Sequence, residues 1–182
     1  DDHLAIRMVR NVRRIIERHP ACCDILPENP NEWAADRFTI KRSADLRDPS
    51  MVAAGITGNI TGMRADLIIC DDVEVPNTSD TVDKREELRT RLHELSFIKS
   101  SDATMLYIGT PHAFDTIYAD KPRDDIPGHI PFLDGFKTLR LPIYTKDGSS
   151  RWPEKFNLDK IHDIQRRVGQ ARFQSQMMLA PY

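Results

Sequence analysis

The sequence predicts an α/β fold, with helices on both faces of a mainly parallel sheet, and three observations carry that prediction. The first is a pair of dense apolar runs: Leu67-Ile68-Ile69-Cys70 within Ala65–Asp72, and Ala103–Ile108. Neither alternates cleanly with polar residues, which is the pattern of strands covered on both faces. The second is helical spacing between and around these runs, since strands interleaved with helices build layered α/β domains. The third is how the runs end, on Asp71-Asp72 and on Gly109-Thr110-Pro111. In parallel sheets, ligands gather at the carboxyl ends of strands.

The elements follow in order. From Leu4 to Arg18, apolar Leu4, Met8, Val9, Val12, Ile15 and Ile16 recur at helical spacing, with Arg7, Arg10, Arg13, Arg14 and Glu17 between them. An amphipathic helix is expected, ended before His19-Pro20, with its basic side a solvated face. After the proline-rich stretch from Pro20 to Pro30, Arg37–Arg42 alternates as a half-buried strand does. Gly55, Gly58 and Gly62 then mark a loop leading to the first dense strand. Thr78, Ser79 and Asp80 are cap-type residues ahead of a helix carrying Leu88, Leu92 and Leu95. Phe136–Leu141 alternates and predicts a third strand, closed by Pro142. Asn157 is a good N-cap for a helix through Leu158, Ile161, Ile164 and Val168, broken at Gly169 before the apolar stretch Phe173–Leu179.

Composition narrows the function. The chain has 182 residues, 40% hydrophobic and 30% charged, enough for one core. Its 26 Lys+Arg against 28 Asp+Glu give a net charge of -2, so any nucleic-acid contact must be local. No apolar stretch approaches a membrane span and no signal peptide opens the sequence, so a soluble, cytosolic protein without membrane partners is expected. The vicinal Cys22 and Cys23, with Cys70, lack zinc-site spacing and are expected as thiols. The six histidines show no metal-binding pattern, and His112 reads as a polar loop residue.

The chemistry concentrates at the two strand ends. A buried strand that delivers adjacent carboxylates is the Walker B arrangement: Asp71 to hold Mg²⁺, and Asp72 to polarise the attacking water. If the strand persists, the two side chains point to opposite sides. Glu74 is the alternative catalytic carboxylate, and capping or turn formation is the bland reading of Asp72. Thr110, after Gly109, is placed to sense a γ-phosphate and pass that state to a moving segment, although Gly and Pro also suit an ordinary turn. Arg64 is a candidate to stabilise charge on a transferring phosphoryl group, or else a local partner of Asp66. Nothing in the chain matches G-x-x-x-x-G-K-S/T, so the glycines from Gly55 to Gly62 do not make a phosphate-binding loop. A two-metal nuclease would need more carboxylates than the pattern supplies.

These residues resemble a known family. Gly62–Asn77 resembles the Walker B region of phage large terminase subunits, in particular the DNA-maturase branch of short-tailed phages. Tyr107-Ile108-Gly109-Thr110-Pro111-His112 is similar to that family's coupling motif, and Arg151–Phe156 with Phe173–Pro181 is similar to the end of its ATPase region. The resemblance implies an additional-strand, conserved-glutamate P-loop ATPase using ATP and Mg²⁺. It also implies assembly of several copies in a ring on a portal protein, with double-stranded DNA and a small terminase subunit as partners, in the host cytoplasm. By position it assigns Asp71 to magnesium, Asp72 to catalysis, and Gly109 and Thr110 to the nucleotide and its coupling. Residues 1–182 would then be a partial ATPase domain, incomplete at its N-terminus, with the family's phosphate-binding loop expected before the first helix and its nuclease domain after Tyr182. Without that loop the isolated chain is expected not to turn over ATP. The alternative is a non-catalytic module that binds DNA or packaging partners.

Overall fold

A computed structural model of the chain describes residues 2–27, 29–58 and 60–182. Glu28 and Asn59, in the proline-rich stretch and the glycine-punctuated loop, lie outside the described residues, as does Asp1. Among the described residues the fold is α/β with a small parallel sheet and no closed barrel. The chain forms two compact units, each assembled from two stretches: residues 1–68 with 91–104, and residues 69–90 with 105–182.

The first unit opens with helix α1 (Asp2–Arg18), which stops where the spacing predicts, at His19-Pro20. The His19 ring nitrogen accepts the Ala21 N–H (3.2 Å) and starts a 3₁₀ turn over Pro20–Ile25. Strand β1 (Arg37–Phe38) pairs antiparallel with β2 (Met51–Val52). The strand expected over Arg37–Arg42 is thus only two residues long, because the next donors turn elsewhere. Thr39 N–H reaches the Glu32 carbonyl, Ile40 N–H the Ser50 hydroxyl, and Lys41 N–H the Ile25 carbonyl. These three backbone donors are satisfied, but not by a ladder. Among the described residues, Val9, Phe38, Ile60, Ile68, Leu92, Leu95 and Ile98 form the buried apolar set of this unit.

Strand β3 (Ala65–Asp71) and strand β4 (Lys99–Ile108) are neighbours in the small parallel sheet. Between them run the single turn α2 (Pro76–Ser79) and helix α3 (Val82–Ile98), the crossover that parallel strands require. The leucine stripe predicted for α3 is buried as expected. Its cap is different: Lys84 N–H reaches the Thr81 hydroxyl (3.3 Å), while Thr78 and Ser79 belong to α2. The dense run in β3 is not covered on both faces. Ile68 and Cys70 are buried, whereas Leu67 and Ile69 are 55% and 52% exposed. Leu106 and Ile108 of β4 are also exposed. A continuous apolar run requires only that both faces tolerate burial; whether both are covered depends on what packs against them.

The second unit continues through turns from residue 109 to 157. The strand expected over Phe136–Leu141 does not form: Phe136 N–H closes a turn to the Leu133 carbonyl, and Leu139 is 81% exposed. Alternation is equally compatible with an extended surface segment when no strand edge receives it. Helix α4 (Leu158–Val168) begins as predicted, with the Asn157 side chain accepting the Lys160 N–H (2.9 Å). Gly169, at φ 80°, separates it from α5 (Gln170–Gln176). Ile161 and Phe173 bury the apolar sides of the two helices. Among the described residues, no helix is long and apolar enough to cross a membrane.

Candidate functional site

The second unit brings together the ends of β3 and β4. Asp71 is the last residue of β3, and Asp72 leaves the strand in a left-handed conformation, φ 46°. Few residues other than glycine adopt that region, Asp and Asn being the usual exceptions. The Asp72 N–H still donates to the Ile108 carbonyl (2.9 Å), so the turn is pinned to the last residue of β4. Strand alternation therefore does not orient the two carboxylates; the backbone reversal at Asp72 does. Both side chains are exposed, and among the described residues neither has a hydrogen-bond or ion-pair partner.

Glu74 is placed differently. It is 1% exposed, and three donors converge on its carboxylate. Oε1 accepts the His112 N–H (2.9 Å) and the Thr116 hydroxyl (2.7 Å), and Oε2 accepts the Ile117 N–H (2.8 Å). A carboxylate is removed from water at modest cost only when its oxygens are satisfied in this way. Glu74 thus ties the segment after β3 to the segment after β4 at two places.

Gly109 and Thr110 begin that second segment. A Cβ on Gly109 would sit 2.1 Å from the Tyr118 hydroxyl oxygen, so only glycine allows the tyrosine to close over this turn. The Tyr118 hydroxyl donates to the Ile108 carbonyl (3.2 Å), the same oxygen that receives Asp72 N–H. Burial, with the negative charges of Glu74 and Asp72 added, pushes the Tyr118 phenol well above its ordinary value and keeps it a donor. Thr110 is half-buried, and Pro111 is buried with its carbonyl accepting the Ser175 hydroxyl (2.7 Å). Gln176 Nε2 lies 3.1 Å from the His112 ring nitrogen. The Gly109-Thr110-Pro111 turn is therefore held by Glu74, Tyr118 and Ser175.

A search of protein-family models finds no match to this chain. A curated relative decides the comparison. The chain is similar to a phage terminase large subunit. The terminase large subunit of Enterobacteria phage T3 is 28% identical over 200 residues, covering 93% of this chain and 33% of that protein. The chain spans about a third of the length of that relative, and the match fits a terminase fragment.

Within the terminase-like chain, Asp71, Asp72, Glu74, Gly109 and Thr110 fall in one unit. Arg64 belongs to the other. Its N–H donates to Asp48 Oδ2 (3.1 Å), and its guanidinium reaches the Met63 carbonyl (3.0 Å). The Arg47 and Arg64 contacts hold the Asp48 carboxyl below its ordinary range, Arg47 foremost. Among the described residues, no three His, Cys, Asp or Glu side chains converge as a metal cage. A single exposed carboxylate such as Asp71 suits Mg²⁺, which keeps most of its waters. The 182 residues contain no G-x-x-x-x-G-K-S/T run, the pattern of a phosphate-binding loop.

Sequence reasoning did not single out Tyr118, Thr116 or Ser175. Their roles depend on the chain after β4 folding back on itself, which leaves no periodic mark. The sequence carries no signal for them: that Gly109 has no positive φ, and is glycine because of a close neighbour, is visible only in the folded chain.

Proposed function

We propose that this chain carries the Walker B and coupling half of the ATP-hydrolysis site of a viral DNA-packaging motor. Residues 1–182 would be part of a P-loop-type ATPase domain with a three-layer, additional-strand sheet. The observation that carries the reading is the pinning of Asp71-Asp72 beside Gly109-Thr110 through the Ile108 carbonyl, with the terminase similarity alongside. Asp71 is assigned to magnesium, which when bound offsets charge on the phosphates. Asp72, exposed and preset by its backbone, is assigned to hold and polarise the attacking water. Glu74, already saturated by three donors, is assigned to holding the loops rather than to the water. Thr110 would register the phosphate state on a turn whose neighbours are fixed. Arg64 is kept as a candidate charge stabiliser, and Gly109 as the residue that lets the turn lie close to a nucleotide. Double-stranded DNA, a portal protein, a small terminase subunit and further copies in a ring are the proposed partners, in the host cytoplasm.

The test is magnesium-dependent ATP binding by calorimetry, with phosphate release as a second readout. The chain alone is compared with a longer protein that contains a phosphate-binding loop. Little or no turnover is expected from the chain alone. In the longer protein, Asp72→Asn is expected to lower kcat by about 100-fold or more with KM little changed. Asp71→Ala should raise the magnesium requirement. Glu74→Gln should weaken folding by on the order of 1–3 kcal/mol, because an amide NH₂ would face a donor. Robust turnover by the isolated chain, or an Asp72→Asn protein of full activity, overturns the assignment. If a phosphate-binding loop changes nothing, the chain acts as a non-catalytic module that binds DNA or packaging partners.

A further inference from the structure

Helix α1 carries five arginines, and four of them share one side. At 100° per residue, Arg7, Arg10, Arg14 and Arg18 fall within an arc of about 80°, along about 16 Å of helix. All four are exposed, and among the described residues none has a hydrogen-bond or ion-pair partner. The fifth, Arg13, is spent inside the unit, donating to the carbonyls of Trp33 (3.0 Å) and Ala34 (3.2 Å). Glu17, on the same helix, is engaged by the Trp33 indole and by Arg13. Guanidiniums elsewhere are mostly neutralised, as where Arg85, Arg89 and Arg123 meet Asp115. The stripe is thus uncompensated positive charge on a chain whose net charge is -2.

We infer that the Arg7, Arg10, Arg14 and Arg18 side of α1 is a docking surface for the phosphate backbone of duplex DNA. Four cations spaced by about 5–6 Å make a linear array. A duplex strand offers one phosphate per about 3.4 Å of axis, a linear array of opposite sign. Arginine suits such contacts because its fork of donors matches phosphate oxygens. At the end of the stripe, Arg14 and Arg18 adjoin a shallow, mostly apolar surface depression of about 290 Å³ shared with Ile15, His19 and Pro20. A membrane surface fits less well. Interfacial helices bury their apolar face about 5–10 Å deep. In α1 the central apolar residue, Val9, is already 1% exposed within the protein, and only Leu4, Met8 and Ile15 remain outside. The stripe stands on charge and geometry alone; the choice of duplex DNA over other linear polyanions rests on the packaging reading.

The test is fluorescence anisotropy with a labelled duplex of random sequence and the full chain, between about 50 and 200 mM salt. Four phosphate contacts predict a slope of about −3.6 in log K against log salt, or about 150-fold weaker binding across that range. The variant with Arg7, Arg10, Arg14 and Arg18 all changed to Ala should lose at least about tenfold in affinity and about three units of slope. A control of equal charge, with Lys121, Lys137, Lys146 and Arg172 changed to Ala, should keep both. Far-UV circular dichroism verifies that each variant retains its helices. Equal loss in the control, no loss in the stripe variant, or no duplex binding by the wild-type chain overturns the inference. So does binding to phosphatidylserine vesicles without duplex binding. Duplex binding that survives the stripe change removes α1 while leaving the packaging reading intact, and failure of the magnesium and ATP test leaves the stripe result standing.

Discussion

At the scale of single residues, the site is governed by close approaches and one backbone reversal. Asp72 occupies a conformation that costs most side chains about 1–2 kcal/mol, and it does so next to the carboxylate proposed to bind magnesium. Strain of this kind at a strand end fits a carboxylate set in place before any ligand arrives. Gly109 and Tyr118 give the sharper prediction. Gly109→Ala is expected to cost about 1–3 kcal/mol in urea unfolding, because Tyr118 must leave the Ile108 carbonyl. Tyr118→Ala should relieve that clash, so that the double variant is more stable than the sum of the two single losses predicts. Simple additivity in this double-mutant cycle would show that the two residues do not meet. None of this could be read from Gly109 alone. A glycine before a threonine and a proline suits any turn, and only the folded chain shows that a tyrosine nine positions later requires it.

At the scale of elements, helices were legible and strands less so. The limits of α1 and the start of α4 follow from local chemistry: apolar spacing, a proline stop, and the Asn157 cap. Ile161 sits at 0% exposure on the buried side of α4, so Ile161→Ala should cost about 2–5 kcal/mol and lower the melting temperature clearly. Ile164, four positions before Val168, lies nearer the rim, and the same truncation there should cost less. Equal losses at the two positions would mean that α4 is not seated by Ile161. Strands depend on partners distant in sequence, and here the reading was uneven. β3 and β4 were found in the right places, but the expected coverage of both faces was not, with Ile69, Leu106 and Ile108 exposed. The alternation of Phe136–Leu141 had no strand edge to join, and Arg37–Arg42 gave its donors to loop acceptors after two residues.

At the scale of the whole molecule, stability is bounded by pH on both sides. Asp115 would be raised by burial, but the hydrogen bonds and charges of Arg89 and Arg123 outweigh this and hold its carboxyl below the ordinary 3.8. A depressed carboxyl contributes stability above its unfolded pKa, and that contribution is lost as pH falls through the lower folded value. On the alkaline side, burial pushes the Cys70 thiol from 9.0 up to about 11. A raised acid contributes fully below its unfolded pKa, so that share is lost as pH rises between about 9 and 11. Urea midpoints should therefore be flat near neutrality and fall in acid and above about pH 9. Alkylation at pH 8 should label the exposed Cys23 and spare the buried Cys70 until the chain unfolds. Prompt labelling of Cys70 in the native chain would contradict its burial. The sequence by itself determined the α/β class, the succession β3, α3, β4, the helices α1 and α4, the carboxylate pair at a strand end and the arginine spacing of α1, because each is set by neighbours within a few residues. Only the tertiary structure decided that Glu74 is a buried tie rather than an exposed carboxylate, that Tyr118 closes over Gly109, and that one sheet face stays open. Those outcomes depend on which distant segments meet, and the free energy of such meetings is not written in local spacing.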